Sequence, residues 1–108
     1  MTVAEHYTYR VRWSAEDESY VATVAELRSL SWLAPERSEA LDGIVSLVEE
    51  TIADLAANGE SVPDAIADRS YSGQFVVRIP PETHRRLALE AAEQGVSLNR
   101  LASSRLAG

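Results

Sequence analysis

The sequence predicts an α+β protein with two structured parts: a small antiparallel sheet carrying one long helix, and after it a strand–helix–helix (βαα) module. Three observations lead to this prediction. Residues 7–24 alternate between apolar and polar side chains as strands do, residues 35–57 repeat apolar side chains at helical spacing, and residues 73–108 place one short apolar segment before two short helical ones. We therefore divide the chain into a domain at 1–59, a linker at 60–72 and a module at 73–108.

The first strand is predicted over residues 7–13, where the two faces differ in polarity. One face is apolar and consists of Tyr7, Tyr9, Val11 and Trp13. The other face is polar and consists of Thr8, Arg10 and Arg12. This alternation, in aromatic and β-branched residues, is typical of a strand with one buried face. Polar residues 15–19 suit a hairpin loop, residues 20–24 the returning strand, and residues 30–33 a weaker third strand.

A long helix is predicted after the strands. Pro35 and Glu36 favour a helix start, because proline fits the first turn and a carboxylate suits the positive end of the helix dipole. Apolar side chains then follow the i, i+3, i+4 spacing and form one stripe, made of Leu41, Ile44, Val45, Val48, Ile52 and Leu55. Gly43 costs up to about 1 kcal/mol relative to alanine, which the stripe offsets. Asn58 and Gly59 supply the stop, and the sheet is expected to bury the stripe.

The end of the chain reads as a strand followed by two helices. Residues 60–72 show no periodicity, whereas Gln74–Ile79 reads as one short strand that ends at two prolines. Residues 82–94 are predicted as a helix with His84, Leu87, Ala88 and Ala91 along its inward side. Gly95 is the expected stop, Ser97 the cap of the next helix, and residues 98–106 that helix.

A module of this size is not expected to be stable alone. Its single strand has no partner for its backbone hydrogen bonds, and even two strands are marginal. Pairing the strand with its copy in a second chain solves this, since it forms a two-stranded antiparallel ribbon lying on four helices. The predicted dimer core consists of Phe75, Val77, Ile79, Leu87, Leu98 and Leu101.

The other face of this ribbon would point to solvent and carries Gln74, Val76 and Arg78. A two-stranded ribbon fits the DNA major groove, where arginine pairs with guanine and glutamine with adenine. We therefore predict that these three residues contact DNA bases. Val76 would offer a methyl contact to thymine and little hydrogen-bond discrimination.

Charge and composition restrict the classes of function. The net charge is −7, but it is split: residues 1–72 carry 14 acidic residues and five arginines, while residues 73–108 carry five arginines and three glutamates. The chain has no cysteine, which excludes disulfides and thiolate metal sites. Its start lacks the pattern of a signal peptide, and the apolar-rich segment 40–57 is interrupted by acids. We expect a cytoplasmic protein with no membrane contact, metal or cofactor.

Catalysis is not expected either. A nuclease site of the RNase H type needs several carboxylates converging on metal ions from strands, and the outward residues of the first strand are Thr8, Arg10 and Arg12. The chain also has no G-x-S-x-G elbow. His84 is interpreted as a packing residue.

Residues 72–106 resemble the ribbon-helix-helix segment of HicB-family antitoxins. The stretches that carry this resemblance are Gly73–Phe75, Arg78–Pro80, His84–Leu87 and Gly95–Asn99. The first 60 or so residues are similar to the other half of that family, a degraded RNase H-like domain, over Tyr7–Trp13, Tyr20–Val24 and Glu39–Leu41.

The resemblance implies an antitoxin that neutralises a small basic ribonuclease toxin (HicA-like) and represses its own operon as a dimer on double-stranded operator DNA. It places Gln74, Val76 and Arg78 in the groove and Ser97, Leu98 and Asn99 against a phosphate, where a helix start favours an anion. A tetramer remains open. Two alternatives also remain: a stand-alone ribbon-helix-helix regulator without a toxin, and an adaptor that binds protein and no DNA.

Overall fold

The chain divides into two compact units, Met1–Tyr71 and Ser72–Gly108. The computed structural model describes residues 2–108. The first unit contains a three-stranded antiparallel sheet and one long helix, and the second contains two helices, so the predicted α+β class is confirmed. Among residues 2–108, no helix has the length and apolar content that a membrane crossing requires.

Three strands form the sheet in the order β1-β2-β3: β1 at Tyr9–Ser14, β2 at Ser19–Val24 and β3 at Ser31–Ala34. Tyr9 of β1 pairs with Val24 of β2, and Trp13 pairs with Tyr20. The first strand begins two residues later than predicted, because a short 3-10 helix at Val3–His6 precedes it and Tyr7 packs as part of this turn.

Helix α1, Arg37–Ala57, covers one face of the sheet. Ile44 and Val48 of the helix are fully buried in a core that includes Ala22 and Val24 of β2. The predicted stripe is therefore confirmed at its centre. It is wrong at Leu41, which is 40% exposed, because this residue lies at the margin of the stripe.

Trp13 is a second departure from the predicted burial, since its side chain is 53% exposed. The indole meets the edge of the Tyr20 ring, with 5.1 Å between ring centroids. The guanidinium of Arg37 lies 5.5 Å from the centroid of the same tyrosine ring. Because Arg37 is the first residue of α1, the start of the helix lies beside the Tyr20 ring.

Residues 60–71 belong to the first unit and contain a short 3-10 helix at Ile66–Asp68. Ala65 is fully buried in the core of the sheet domain. The Tyr7 hydroxyl donates a hydrogen bond to the Pro63 carbonyl at 2.5 Å. Burial, with the carboxylate of Glu26 nearby, raises the pKa of Tyr7, so the phenol stays protonated as this donor.

Two side chains of the sheet domain hold the same segment. The Glu26 carboxylate accepts hydrogen bonds from the Thr8 amide at 2.8 Å and from the Ile66 amide at 3.0 Å. His6 Nδ1 lies 2.6 Å from Asp68 Oδ2. The segment from Pro63 to Asp68 is thus fastened to the start of β1 by backbone groups as well as by side chains.

The second unit is a helical hairpin of α2, Pro81–Gln94, and α3, Leu98–Ala107. Both helices agree with the predicted ranges to within one residue at each end. Ala91 and Leu101 are buried between them. His84 and Ala88, predicted on the inward side of α2, are exposed, and Thr83 takes a partly buried place instead, because α3 packs against the side of α2 that carries Leu87 and Ala91.

Candidate nucleic-acid interface

The segment predicted as a strand, Gln74–Ile79, belongs to no helix or strand of the single chain. A strand requires a hydrogen-bonded neighbour, and residues 2–108 of one chain provide none for this segment. It ends at Pro80, whose carbonyl accepts a hydrogen bond from the His84 amide at 3.1 Å. Pro81, which has no N–H, begins α2 in the favourable first position.

The apolar side chains of this segment are largely exposed to solvent. Phe75 is 73% exposed, Val77 59% and Val76 90%. An exposed phenylalanine and two exposed valines within three residues are unusual on a free surface, since large apolar patches commonly mark interaction sites.

A groove of about 900 Å³ lies within the second unit, between residues 73–77 and α3. Its lining is mostly apolar and includes Phe75, Val77, Ala102 and Leu106. Such a groove is wide enough to receive apolar side chains of another polypeptide segment.

The six residues predicted to form the dimer core differ in burial within one chain. Leu101 is buried and Leu87 and Leu98 are partly buried. The other three, Phe75, Val77 and Ile79, are exposed. One chain therefore supplies the helical part of such a core and leaves its strand part uncovered, and the dimer itself stays a prediction.

The three residues predicted to contact bases are all exposed on the segment that leads to α2. Gln74 is held by its backbone, whose N–H donates to the Ser72 hydroxyl at 3.1 Å. Arg78 has no acidic side chain within ion-pair distance among residues 2–108. The structure thus brings Gln74, Val76 and Arg78 together on one short accessible stretch, while their contact with bases remains a prediction.

The start of α3 is built by local sequence. Gly95 adopts the left-handed conformation, with φ of 69°, and ends α2. Val96 then donates its amide to the Ala91 carbonyl at 3.0 Å. The Ser97 hydroxyl caps α3 by accepting a hydrogen bond from the Arg100 amide at 3.0 Å.

Because Ser97 already satisfies the Arg100 amide, the donors left at this helix start are the backbone N–H groups of Leu98 and Asn99. Neither donates to an acceptor among residues 2–108. Free N–H groups at a helix start, together with the helix dipole, favour an anion such as a phosphate. Asn99 also lines the groove beside residues 73–77.

The arginines of the second unit divide into paired and unpaired groups. Arg105 pairs with Glu90, and Arg85 lies 3.7 Å from Glu82 in an exposed ion pair. Within residues 2–108, no ion pair includes Arg78, Arg86 or Arg100. The sequence pattern predicts a DNA contact for Arg78 alone among these arginines, because charge pairing across a helical hairpin cannot be deduced from local spacing.

The part of the chain that the structure describes, residues 2–108, contains no group of three or more His, Cys, Asp and Glu side chains that could hold a metal ion.

Comparison with known proteins finds a family match for the second half of the chain. The model of the HicB family matches residues 57–106, which include the Gln74–Ile79 segment, α2, the turn after it and all of α3 but its last residue. No curated protein and no solved structure matches the chain.

Proposed function

We propose that this chain, for which the match over residues 57–106 supports a HicB-family protein, is the antitoxin of a toxin–antitoxin pair and represses its own operon by binding operator DNA as a dimer. Membership of this family suggests a role related to toxin–antitoxin systems and suggests a protein that is not an enzyme.

The observation that carries the DNA-binding proposal is the exposed segment 74–79 beside the groove. Residues 74–77 all line the groove, and among them the alternate residues Phe75 and Val77 are apolar. Arg78, just beyond the groove lining, has no ion-pair partner among residues 2–108. Pairing with the same segment of a second chain would bury the apolar set and satisfy the backbone. The polar residues Gln74 and Arg78 would then form one face of a ribbon that fits the major groove.

In a dimer, each of the two ribbon strands is accompanied by the N-terminus of α3 from its own chain. The free N–H groups of Leu98 and Asn99 in both copies would hold the DNA backbone by one phosphate each. The unpaired arginines Arg86 and Arg100 would add attraction that depends on salt. Two-fold symmetry of the protein implies a palindromic operator.

The toxin-binding role is assigned to the first unit. Residues 1–72 carry a net charge of −9, and the exposed acids of α1 are Glu39, Asp42, Glu49, Glu50 and Asp54. Such a surface steers a basic partner by long-range attraction. The partner proposed is a small basic ribonuclease toxin of the HicA type, encoded beside the antitoxin.

The first experiment is light scattering of the full-length chain, alone and with DNA from its own promoter, at several salt concentrations. We expect a dimer or tetramer that binds promoter DNA far more tightly than a scrambled duplex, with affinity falling steeply as salt rises. A monomer, or an oligomer that ignores its promoter even at low salt, would reject the repressor and favour the adaptor. DNA binding with no basic toxin gene nearby would favour the stand-alone regulator.

A further inference from the structure

The sheet of the first unit has one face without a covering element. Helix α1 packs on the face that carries Tyr9, Val11, Ala22 and Val24. Since side chains alternate along a strand, Arg10 and Arg12 of β1 and Thr23 of β2 belong to the opposite, open face. The side chains of Arg10 and Arg12 are exposed.

A pocket of about 360 Å³ lies at one end of this open face. Arg10 and Arg28 line it together with Thr8 and Thr23. Thr23 is the cross-strand partner of Arg10. The pocket therefore combines two guanidinium groups with the Thr23 hydroxyl, all of which can donate hydrogen bonds to an anion. The Thr8 hydroxyl instead donates to the Glu26 carboxylate at 3.2 Å.

These arginines lack acidic partners, although residues 1–72 carry a net charge of −9. No ion pair found among residues 2–108 includes Arg10, Arg12 or Arg28. Glu26 is hydrogen-bonded to Thr8 of the pocket lining, and its oxygens accept from Thr8 and Ile66. Three of the unit's five arginines are thus on or beside one face and free to bind another molecule.

We propose that this open sheet face binds the phosphates of a nucleic-acid backbone, with Arg10 and Arg28 holding one phosphate in the pocket and Arg12 the next. Arginine forks and threonine hydroxyls are common donors to phosphate oxygens. Arg12 lies two residues beyond Arg10, about 6.8 Å along the strand, so the row of cations suits a chain of phosphates better than a single anion.

The same face offers little to a protein partner. Protein interfaces have an apolar centre, whereas the exposed apolar surface here is Leu33, at 48%. Val21, the cross-strand partner of both Arg12 and Leu33, is buried and adds no exposed apolar surface. The phosphate-binding proposal goes beyond the proposed function, because it assigns nucleic-acid contact to the unit otherwise assigned to the toxin.

The test is a residue-resolved NMR titration of the full-length chain with short single-stranded oligothymidylate. We expect the amide signals of Thr8, Arg10, Thr23 and Arg28 to shift, apart from any shifts at residues 74–79 and 97–99. Arg10→Gln combined with Arg28→Gln should abolish the first set and lower the slope of log affinity against log salt for that site by about one per arginine. Arg37→Gln, a matched charge change on the helix side of the sheet, should leave it unchanged.

Several results would overturn the proposal. One is a titration in which Thr8, Arg10 and Thr23 do not shift, and another is a double variant that keeps its fold and still binds as the parent does. Equal shifts with polyglutamate would favour an acidic protein, and saturation by inorganic phosphate alone would favour a single anion. Shifts confined to residues 74–99 would reject this site and leave the proposed operator binding intact. Shifts confined to the sheet would support this site, while operator binding is decided separately by the double-stranded promoter DNA.

Discussion

The indole of Trp32 in β3 occupies the space beside Gly43 of α1, so that a Cβ added to the glycine would overlap the tryptophan Nε1 and its neighbouring ring atoms. Glycine in the middle of a helix normally costs stability. Here it lets the helix approach the sheet closely enough for a large aromatic ring to lie flush against the helix backbone.

Replacing Gly43 by alanine is therefore expected to destabilise the fold, although alanine is the better helix former. Overpacking against the ring outweighs the gain in helix propensity, and the net destabilisation should be about 1–2 kcal/mol. Urea unfolding of the parent and of Gly43→Ala measures it. In a Trp32→Ala background, Gly43→Ala should become neutral or stabilising, and an equal destabilisation in both backgrounds would show that the ring is not the cause.

The pH dependence of stability should contain a contribution from Glu26. Burial alone would raise the pKa of this carboxyl, but hydrogen bonds from the Thr8 and Ile66 amides outweigh burial and hold its pKa below the ordinary value of 4.5. A lowered pKa in the folded state adds stability that is present above pH 4.5 and is lost as the pH falls through the folded pKa. Glu26→Gln should therefore flatten the fall in the unfolding free energy below pH 4.5. Parallel curves for the parent and the variant would contradict this assignment.

Residues 60–71 should contribute to the stability of the sheet domain. A chain that ends at Gly59 lacks the buried Ala65, the acceptor of the Tyr7 hydroxyl and one donor to Glu26. We expect its free energy of unfolding to be about 2–4 kcal/mol lower than that of a chain that ends at Tyr71. Thermal and urea unfolding of the two chains decide this, and equal stability would mean that the segment only rests on the surface.

Association should depend on Phe75 and not on its neighbour Val76. Phe75→Ser removes an apolar side chain from the predicted dimer core and should weaken the dimer by about 1.5–3 kcal/mol for each phenyl group removed. Val76→Ser is the matched control, because Val76 belongs to the predicted DNA face. Sedimentation equilibrium measures both, and a dimer weakened only by Val76→Ser would reverse the two faces.

Operator affinity should depend on Arg78. Arg78→Ala is expected to weaken specific binding by about 1–3 kcal/mol for each arginine–base pairing that it removes, without changing the dimer. Arg69→Ala is a matched control in the first unit, where the guanidinium donates to the Asp64 carbonyl. Gel shifts with promoter DNA measure the difference, and an unchanged affinity for Arg78→Ala removes this residue from the site.

The strands, α1 and the helical hairpin could be predicted because each depends on local periodicity or a local cap. Gly95 and Ser97, for example, fix the turn between α2 and α3 by contacts that span a few residues. The stripe of α1 likewise predicted the burial of Ile44 and Val48.

Contacts between distant backbone groups could not be predicted in this way. Any residue could supply the carbonyl of Pro63 or the amide of Ile66, so no side-chain pattern marks their contacts with Tyr7 and Glu26. The fit of Trp32 against Gly43 depends on the distance between helix and sheet. At the candidate site, spacing pointed to Arg78. Which of the other arginines stay unpaired depends on the ion pairs of Arg105 with Glu90 and of Arg85 with Glu82, which the structure shows.

Exposure of residues 72–80 in the single chain also bears on how long the protein survives in a cell. Proteases cut preferentially where a polypeptide is accessible and outside regular structure, and this stretch meets both conditions. Association would shield it, so scarce chains would be degraded fastest and abundant ones would persist. The half-life of the protein would then rise with its own abundance, and a brief halt in synthesis would clear it disproportionately fast.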